Sequence, residues 1–202
     1  MARGRDQFSH YRRILKALSK SFSYIPLTAR KGLLILNRNT PGKIGLGIRY
    51  ALLRSISSRV GDNVALFPGV VLKSPELLEV GDNVSIHPFC YIEANGGVSI
   101  GSDVSIAHGV SILSSEHNYD NQRKAIKDQG LTYQPVSIEQ NVWIGAKATI
   151  LAGVHIESGS IVGAMALVNR DVPGDVIVGG VPARQIKTRC DLARYAKRVC
   201  RE

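Results

Sequence analysis

Aliphatic residues recur at every sixth position along most of this chain, an interval that fits neither common regular structure. The anchors are Val60, Leu66, Leu72; Val80, Ile86, Ile92; Ile100, Ile106, Ile112; Ile138, Ile144, Ile150; and Ile156, Val162, Val168. Four positions after most anchors stands a small or β-branched residue, as at Val64, Val84, Cys90, Val104, Ala148 and Ala166. A helix face repeats about every 3.6 residues and a strand face every two, so a period of six marks a repeat architecture. It belongs to a parallel β-helix, in which short strands coil around a prism and each coil stacks on the last. With one hexapeptide per face, three make a coil, and equivalent anchors of successive coils meet inside. A prism that narrow admits aliphatic and small side chains, in keeping with 44% hydrophobic but only 6% aromatic residues. Corners such as Gly61-Asp62-Asn63, Gly81-Asp82-Asn83 and Gly101-Ser102-Asp103 supply the turn residues that β-branched positions resist. A sandwich of short strands would show alternation of period two over longer runs; no such run is sustained.

The irregularities of the count locate the decoration. Val60, Val80 and Ile100 are twenty apart, so the first coils carry two extra residues each, assigned to Leu78-Glu79 and Val98-Ser99. Ile138 and Ile156 are eighteen apart, a coil without insertion. Between Ile112 and Ile138 lie twenty-six positions. The surplus, residues 118–135, is polar and charged and must leave the prism as a loop. Long loops on rigid scaffolds tend to carry function, so a site is sought there.

The formal charge of +10 is uneven: residues 1–59 hold thirteen Lys/Arg against Asp6 alone, and residues 60–202 come to −2. The first 59 residues read as two short basic amphipathic helices, 11–22 and 43–60, joined by the apolar run Gly32-Leu33-Leu34-Ile35-Leu36. Two roles stand for this segment, compatible with each other: a cap over the open first coil, or contact with an anionic membrane surface. No recognised motif accompanies the charge, so nucleic acid is not an expected partner. No secretory signal and no window of about 18 apolar residues is present. Cys90, Cys190 and Cys200 lack the spacing of a disulfide framework, and the expected location is the cytoplasm, including the inner face of the membrane. Residues 188–202 carry Leu192, Tyr195, Ala196 and Val199 at helical spacing, which predicts a C-terminal helix docked on the last coil.

The segment Asn141-Val142-Trp143-Ile144-Gly145, preceded by a His-bearing loop and followed by Gly179-Gly180-Val181-Pro182-Ala183-Arg184, resembles the hexapeptide-repeat acetyltransferases. It is most similar to the sugar O-acetyltransferase branch, with the maltose, galactoside and nodulation-factor enzymes, over residues 60–187. The resemblance implies an all-β, left-handed parallel β-helix, here flanked by the N-terminal helical segment and the C-terminal helix. It also implies a homotrimer with sites at subunit interfaces and acetyl-CoA in a groove between neighbouring prisms.

His117 matches the family's catalytic histidine, just before the loop. An alcohol is a poor nucleophile at neutral pH, and imidazole, with an unperturbed pKa of about 6.5, suits the general base that takes its proton. Glu116 is expected to orient the imidazole or contact the acceptor, and Asn118 and His108 are further acceptor-binding candidates. His87 holds a position in its hexapeptide equivalent to that of His108, offset by one, and is with it a candidate to face the inter-subunit cleft, whereas His10 and His155 have no supporting context. The zinc prism enzymes, the γ-class carbonic anhydrases, need a close histidine pair with a third across the interface. His108 and His117 are nine apart, so no metal is expected. Trp143 stands beside an anchor and must point outward, either lining the acetyl-CoA cleft or packing under the loop. The resemblance assigns Ala146 and Ala164 to the pantetheine arm, with Gly163 allowing close approach. It assigns Asn169, Arg170, Arg184 and Lys187 to the phosphates, where Arg pairs strongly; Asn169 departs from the commoner hydroxyl residue. The expected function is acetyl transfer from acetyl-CoA to a sugar hydroxyl in surface polysaccharide or oligosaccharide modification. The alternatives are N-acetylation of an amino sugar or aminoglycoside-like acceptor, and a non-enzymatic scaffold docked on a membrane.

Overall fold

The computed structural model describes residues 4–189. Three helices come first: α1 (Gly4–Ser23), α2 (Leu27–Leu36) and α3 (Gly42–Ile56). The apolar run 32–36 is thus no linker but the second half of α2. The ten residues after Pro26 contain no further proline, Gly32 is tolerated inside the helix, and Leu34 is buried. Nor does α3 reach Val60: Arg59–Val60 is already the first strand, because Val60 pairs with Val80 of the next coil. Pro26 and Pro41 precede the first turns of α2 and α3, where a missing N–H leaves no intrahelical bond unmade.

The prism is built from three sheets whose strands run parallel, coil to coil, and its hand is left. The first face holds Arg59–Val60, Leu78–Val80, Val98–Ile100, Val136–Ile138 and His155–Ile156. The second runs from Ala65–Leu66 to Val176–Gly179, and the third from Val71–Lys73 to Leu167–Val168. The register puts anchor on anchor throughout: Val80 on Ile100, Ile106 on Ile144, Ile150 on Val168. Every anchor except the half-buried Leu72 is buried, as are Val64, Cys90, Val104, Ala148 and Ala166 between them. One corner is a column of left-handed residues, Asn63, Asn83, Asp103 and Asn141 at φ 57–60°, then Gly159 at 75° and Asp175 at 54°. Asn tolerates that conformation because its short side chain bonds locally, and the Asn63 amide donates to Asn83 Oδ1 at 3.1 Å.

The two extra residues of the early coils are not at Leu78-Glu79 and Val98-Ser99, which lie within first-face strands. They are absorbed in the preceding corner, as the 3-10 turn Pro75–Leu77 in one coil and the turn at Asn95-Gly96-Gly97 in the next. The strand pairing cannot shift without turning buried anchors outward, so the corner takes the surplus.

Stacking leaves the outermost coil with carbonyls that no further coil can use. N–H groups of each coil donate to carbonyls of the next, as Gly61 to Val80 and Ala65 to Val84, so first-coil carbonyls at the open end need other donors. Helix α3 supplies them. Arg54 donates to Val60 O at 2.5 Å, Tyr50 Oη to Gly61 O at 3.1 Å, and buried Arg49 Nε to Leu66 O at 2.7 Å. Tyr50, Leu52, Leu53 and Ile56 join the same hydrophobic core as the anchors. At the other end Arg184–Thr188 pairs antiparallel with Val176–Gly179. The expected C-terminal helix lies, beyond Arg189, outside the described residues.

Candidate functional site

The chain leaves the prism after Ser114, at the corner between the third and first faces. Ser115–His117 then pairs antiparallel with Leu131–Tyr133, His117 opposite Leu131, and a 3-10 turn, Ile126–Asp128, lies between them. The excursion is therefore a hairpin arm spanning 115–133. His117 sits on its first strand rather than closing the coil, and the boundary falls three residues before the loop start expected at 118. Ser114 fixes that boundary: its N–H still donates to Glu93 O of the coil below at 3.2 Å, and Gln134 N donates to Ser114 O at 3.0 Å as the chain returns.

Glu93, which the sequence reading passed over, holds the root of the arm. It is 7% exposed. Its carboxyl accepts from Asn95 N at 2.7 Å, Ser115 Oγ at 2.8 Å and Ser114 N at 3.2 Å. Glu116 and His117 are both exposed, and adjacent residues of a strand point to opposite faces, so Glu116 does not face the neighbouring imidazole. Asn118 is engaged within the arm. Its Oδ1 accepts from Thr132 Oγ1 at 2.6 Å, and its Nδ2 donates to Gln129 O at 3.3 Å.

His108, Ala146 and Ala164 occupy equivalent positions at the corner between the second and third faces. The backbone ladder shows the stack: Gly109 N donates to Pro88 O, Lys147 N to His108 O at 3.0 Å, and Met165 N to Ala146 O at 2.8 Å. Trp143 is on the outer surface of the second face, 53% exposed, flanked by Ser105 and Ile161 of the adjoining coils. At Gly145, between Trp143 and Ala146, the next coil approaches closely; a Cβ there would lie 2.5 Å from Ala164 N. His108 is exposed, whereas His87 stacks on Phe67 with centroids 4.8 Å apart and His155 Nε2 lies 3.0 Å from Glu139 Oε1. Hydrogen bonds from Ser158, then His155, draw the Glu139 carboxyl below its usual range.

Above the last coil, a cleft lined by Asn169, Arg170, Ala183 and Arg184 brings three of the four predicted phosphate-binding residues together. Lys187 is three positions further along the strand, opposite Ile177, and does not line the cleft. Asp171 lines the cleft too, its Oδ1 accepting from His155 N at 2.8 Å, and two arginines against one acid suit a phosphate-bearing ligand. Among the described residues no three His, Cys, Asp or Glu side chains converge in a way that would hold a metal ion. The single chain thus gathers the cations and stacks the small-residue corner, but roots the His117 arm at a different corner of the prism.

Comparison with known proteins bears on this arrangement. The family described as "Bacterial transferase hexapeptide (six repeats)" matches residues 135–170. Galactoside O-acetyltransferase of Escherichia coli K12 is 31% identical over 140 residues, covering 69% of this chain and 68% of that protein. A hexapeptide-repeat acetyltransferase from Vibrio cholerae, solved in complex with acetyl-CoA, superposes with a TM-score of 0.71 at 29% identity, over 80% of this chain and 86% of that one. A maltose O-acetyltransferase from Clostridium difficile 630 gives the same TM-score at 28% identity, over 80% and 84%. The chain spans less than half the length of the first curated relatives it matches, 41% and 26% of two proteins from Saccharomyces cerevisiae and Mycobacterium tuberculosis. With the six-residue count, the left-handed prism and a relative matched across two thirds of its length, the chain belongs to the hexapeptide-repeat acetyltransferase family.

Proposed function

We propose that this protein transfers the acetyl group of acetyl-CoA to a sugar hydroxyl, in the cytoplasm, as a step in modifying a surface polysaccharide or oligosaccharide. One observation carries the reading: an exposed histidine stands on an arm rooted by a buried carboxyl, one coil before the Trp143 and Ala146 corner. Trp143 and the corner stack of Ala146 and Ala164 would flank the pantetheine chain, while Arg170 and Arg184 meet the phosphates. His117 accepts the proton of the sugar hydroxyl as its oxygen bonds to the thioester carbonyl carbon. The C–S bond then breaks, and the imidazolium returns that proton to the departing thiolate. His108, exposed on the same corner stack, and Glu116 are left as acceptor contacts.

The arm and the small-residue corner stand at different corners of one prism, the division expected if each site is completed between neighbouring copies. Exposed Phe89, Met165, Tyr119 and Tyr133 lie along that corner and on the arm. They supply apolar area of the kind an assembly covers, and a homotrimer is the assembly proposed. The test is to incubate the chain with acetyl-CoA and a panel of sugars and oligosaccharides, following free thiol and the mass of the product. An ester removed by mild alkali supports the reading. An alkali-stable amide would instead assign the protein to amino-sugar N-acetylation.

A further inference from the structure

We infer that the helical segment at the open end of the prism is a docking surface for an anionic lipid bilayer, a role separate from acyl transfer. Its inner side is spoken for: α3 fills the end of the core, and Leu15, Phe22, Leu33 and Ile48 pack against it. The outer side carries apolar residues with no core to join. An open groove between α1, α3 and the first coil is lined by Tyr11, Ile14, Leu18, Ile44 and Phe67, with Lys43 at its rim. Ile14 is 65% exposed and Ile44 76%. On α2, Leu27, Ile35 and Leu36 are exposed as well.

The charge says what covers this surface. Residues 8–59 hold eleven Lys/Arg and no Asp or Glu. The first coil offers Asp62, which meets Arg12, Lys16 and Arg54 together, and Glu76, which meets Lys31. Four cations on two carboxylates leave the segment a large positive excess, and Lys43 lines the groove together with Ile14 and Ile44. A second copy of so cationic a surface would repel it, whereas a bilayer bearing anionic headgroups offers both opposite charge and an apolar boundary. Among the described residues no helix is long and apolar enough to cross a membrane, so the contact is with the surface. Tyr11 and Tyr24, both exposed, are residues that sit at headgroup depth.

The test is flotation of the full chain with phosphatidylcholine vesicles, with and without phosphatidylglycerol. Binding to the phosphatidylglycerol vesicles alone is expected, weakening as salt is raised. The double variant Ile14→Glu/Ile44→Glu should bind at least about tenfold more weakly, since two inserted apolar side chains are lost, with an unchanged melting temperature. Arg13→Glu/Lys20→Glu, which leaves the groove intact, should lose about tenfold or more through charge alone. Equal binding to neutral vesicles, no binding to either, or variants that float like the parent would overturn the inference. So would self-association of the parent that the isoleucine variant abolishes, because the groove would then belong to a second copy.

Discussion

Removing the Glu93 carboxyl should loosen the histidine-bearing arm while leaving the prism folded. In Glu93→Ala, Asn95 N and Ser115 Oγ lose their acceptor, whereas Ser114 N keeps the Glu93 backbone carbonyl at 3.2 Å. Orphaning a buried donor costs about 1–3 kcal/mol. Asn95 is exposed and Ser115 half-buried, so water compensates in part and the expected loss is about 2 kcal/mol. For a domain of this size that lowers the melting temperature by about 4–8 °C. The loss falls on the root of the arm, so hydrogen exchange of amides 115–118 should speed up about thirtyfold. Exchange of the anchor amides should change far less. With the proposed base His117 less firmly held, kcat should fall while KM for acetyl-CoA stays put, because the proposed donor contacts, Ala146, Ala164 and the Arg170–Arg184 cleft, lie on later coils. Glu93→Gln, which keeps an acceptor oxygen, should lie between. Arm exchange unchanged in Glu93→Ala would refute the reasoning, as would a loss of kcat with arm exchange untouched.

Two further perturbations read other parts of the molecule. Burial pushes the Asp62 carboxyl up, but hydrogen bonds from Lys16 and Arg12 outweigh it and hold the carboxyl below its ordinary 3.8. The stability this contributes is fully present above that ordinary value and is lost as pH falls through the lower folded value. Melting curves from about pH 5 down to about pH 2.5 should therefore fall less steeply for Asp62→Asn than for the parent; parallel curves would contradict the linkage. If the cleft takes the donor's phosphates as proposed, Arg170→Ala and Arg184→Ala should each raise KM for acetyl-CoA about tenfold with kcat retained, the cost of one charge-assisted contact. Unchanged KM in both would remove that cleft from the donor site.

What the sequence makes legible is whatever periodicity governs. Anchors such as Ile106 and Ile144 are readable because a narrow prism forces the same chemistry at the same height in every coil. An Asn at the corner is readable because few residues accept its conformation. Insertions are countable but not placeable: two extra residues shift the spacing identically wherever they sit, and only the pairing of Leu78 with Val98 shows that the corner absorbed them. Helix α2 escaped because a ten-residue element with an apolar second half resembles a linker run. Arg49 reads as one more cation of a basic face, yet it is 1% exposed and bonded to backbone carbonyls of α2's end and the first coil. Its role depends on an orphaned carbonyl that no local pattern reveals. Glu93 did leave a trace, a lone acid directly after the anchor Ile92 in the run Cys90-Tyr91-Ile92-Glu93-Ala94. Its partners at the root of the arm, Ser114 and Ser115, twenty-one and twenty-two residues away, become visible only once coils are stacked.

The role of His117 is open to a direct measurement: the turnover of His117→Ala beside the parent, with acetyl-CoA binding and melting temperature recorded on the same samples. The side chain is exposed on the arm, so its truncation should leave folding and donor binding as they are. Loss of a general base should lower kcat by about 10²–10⁴-fold. A variant that binds acetyl-CoA, melts with the parent and still acetylates sugar within a fewfold of the parent's rate would contradict the assignment of His117 as the base.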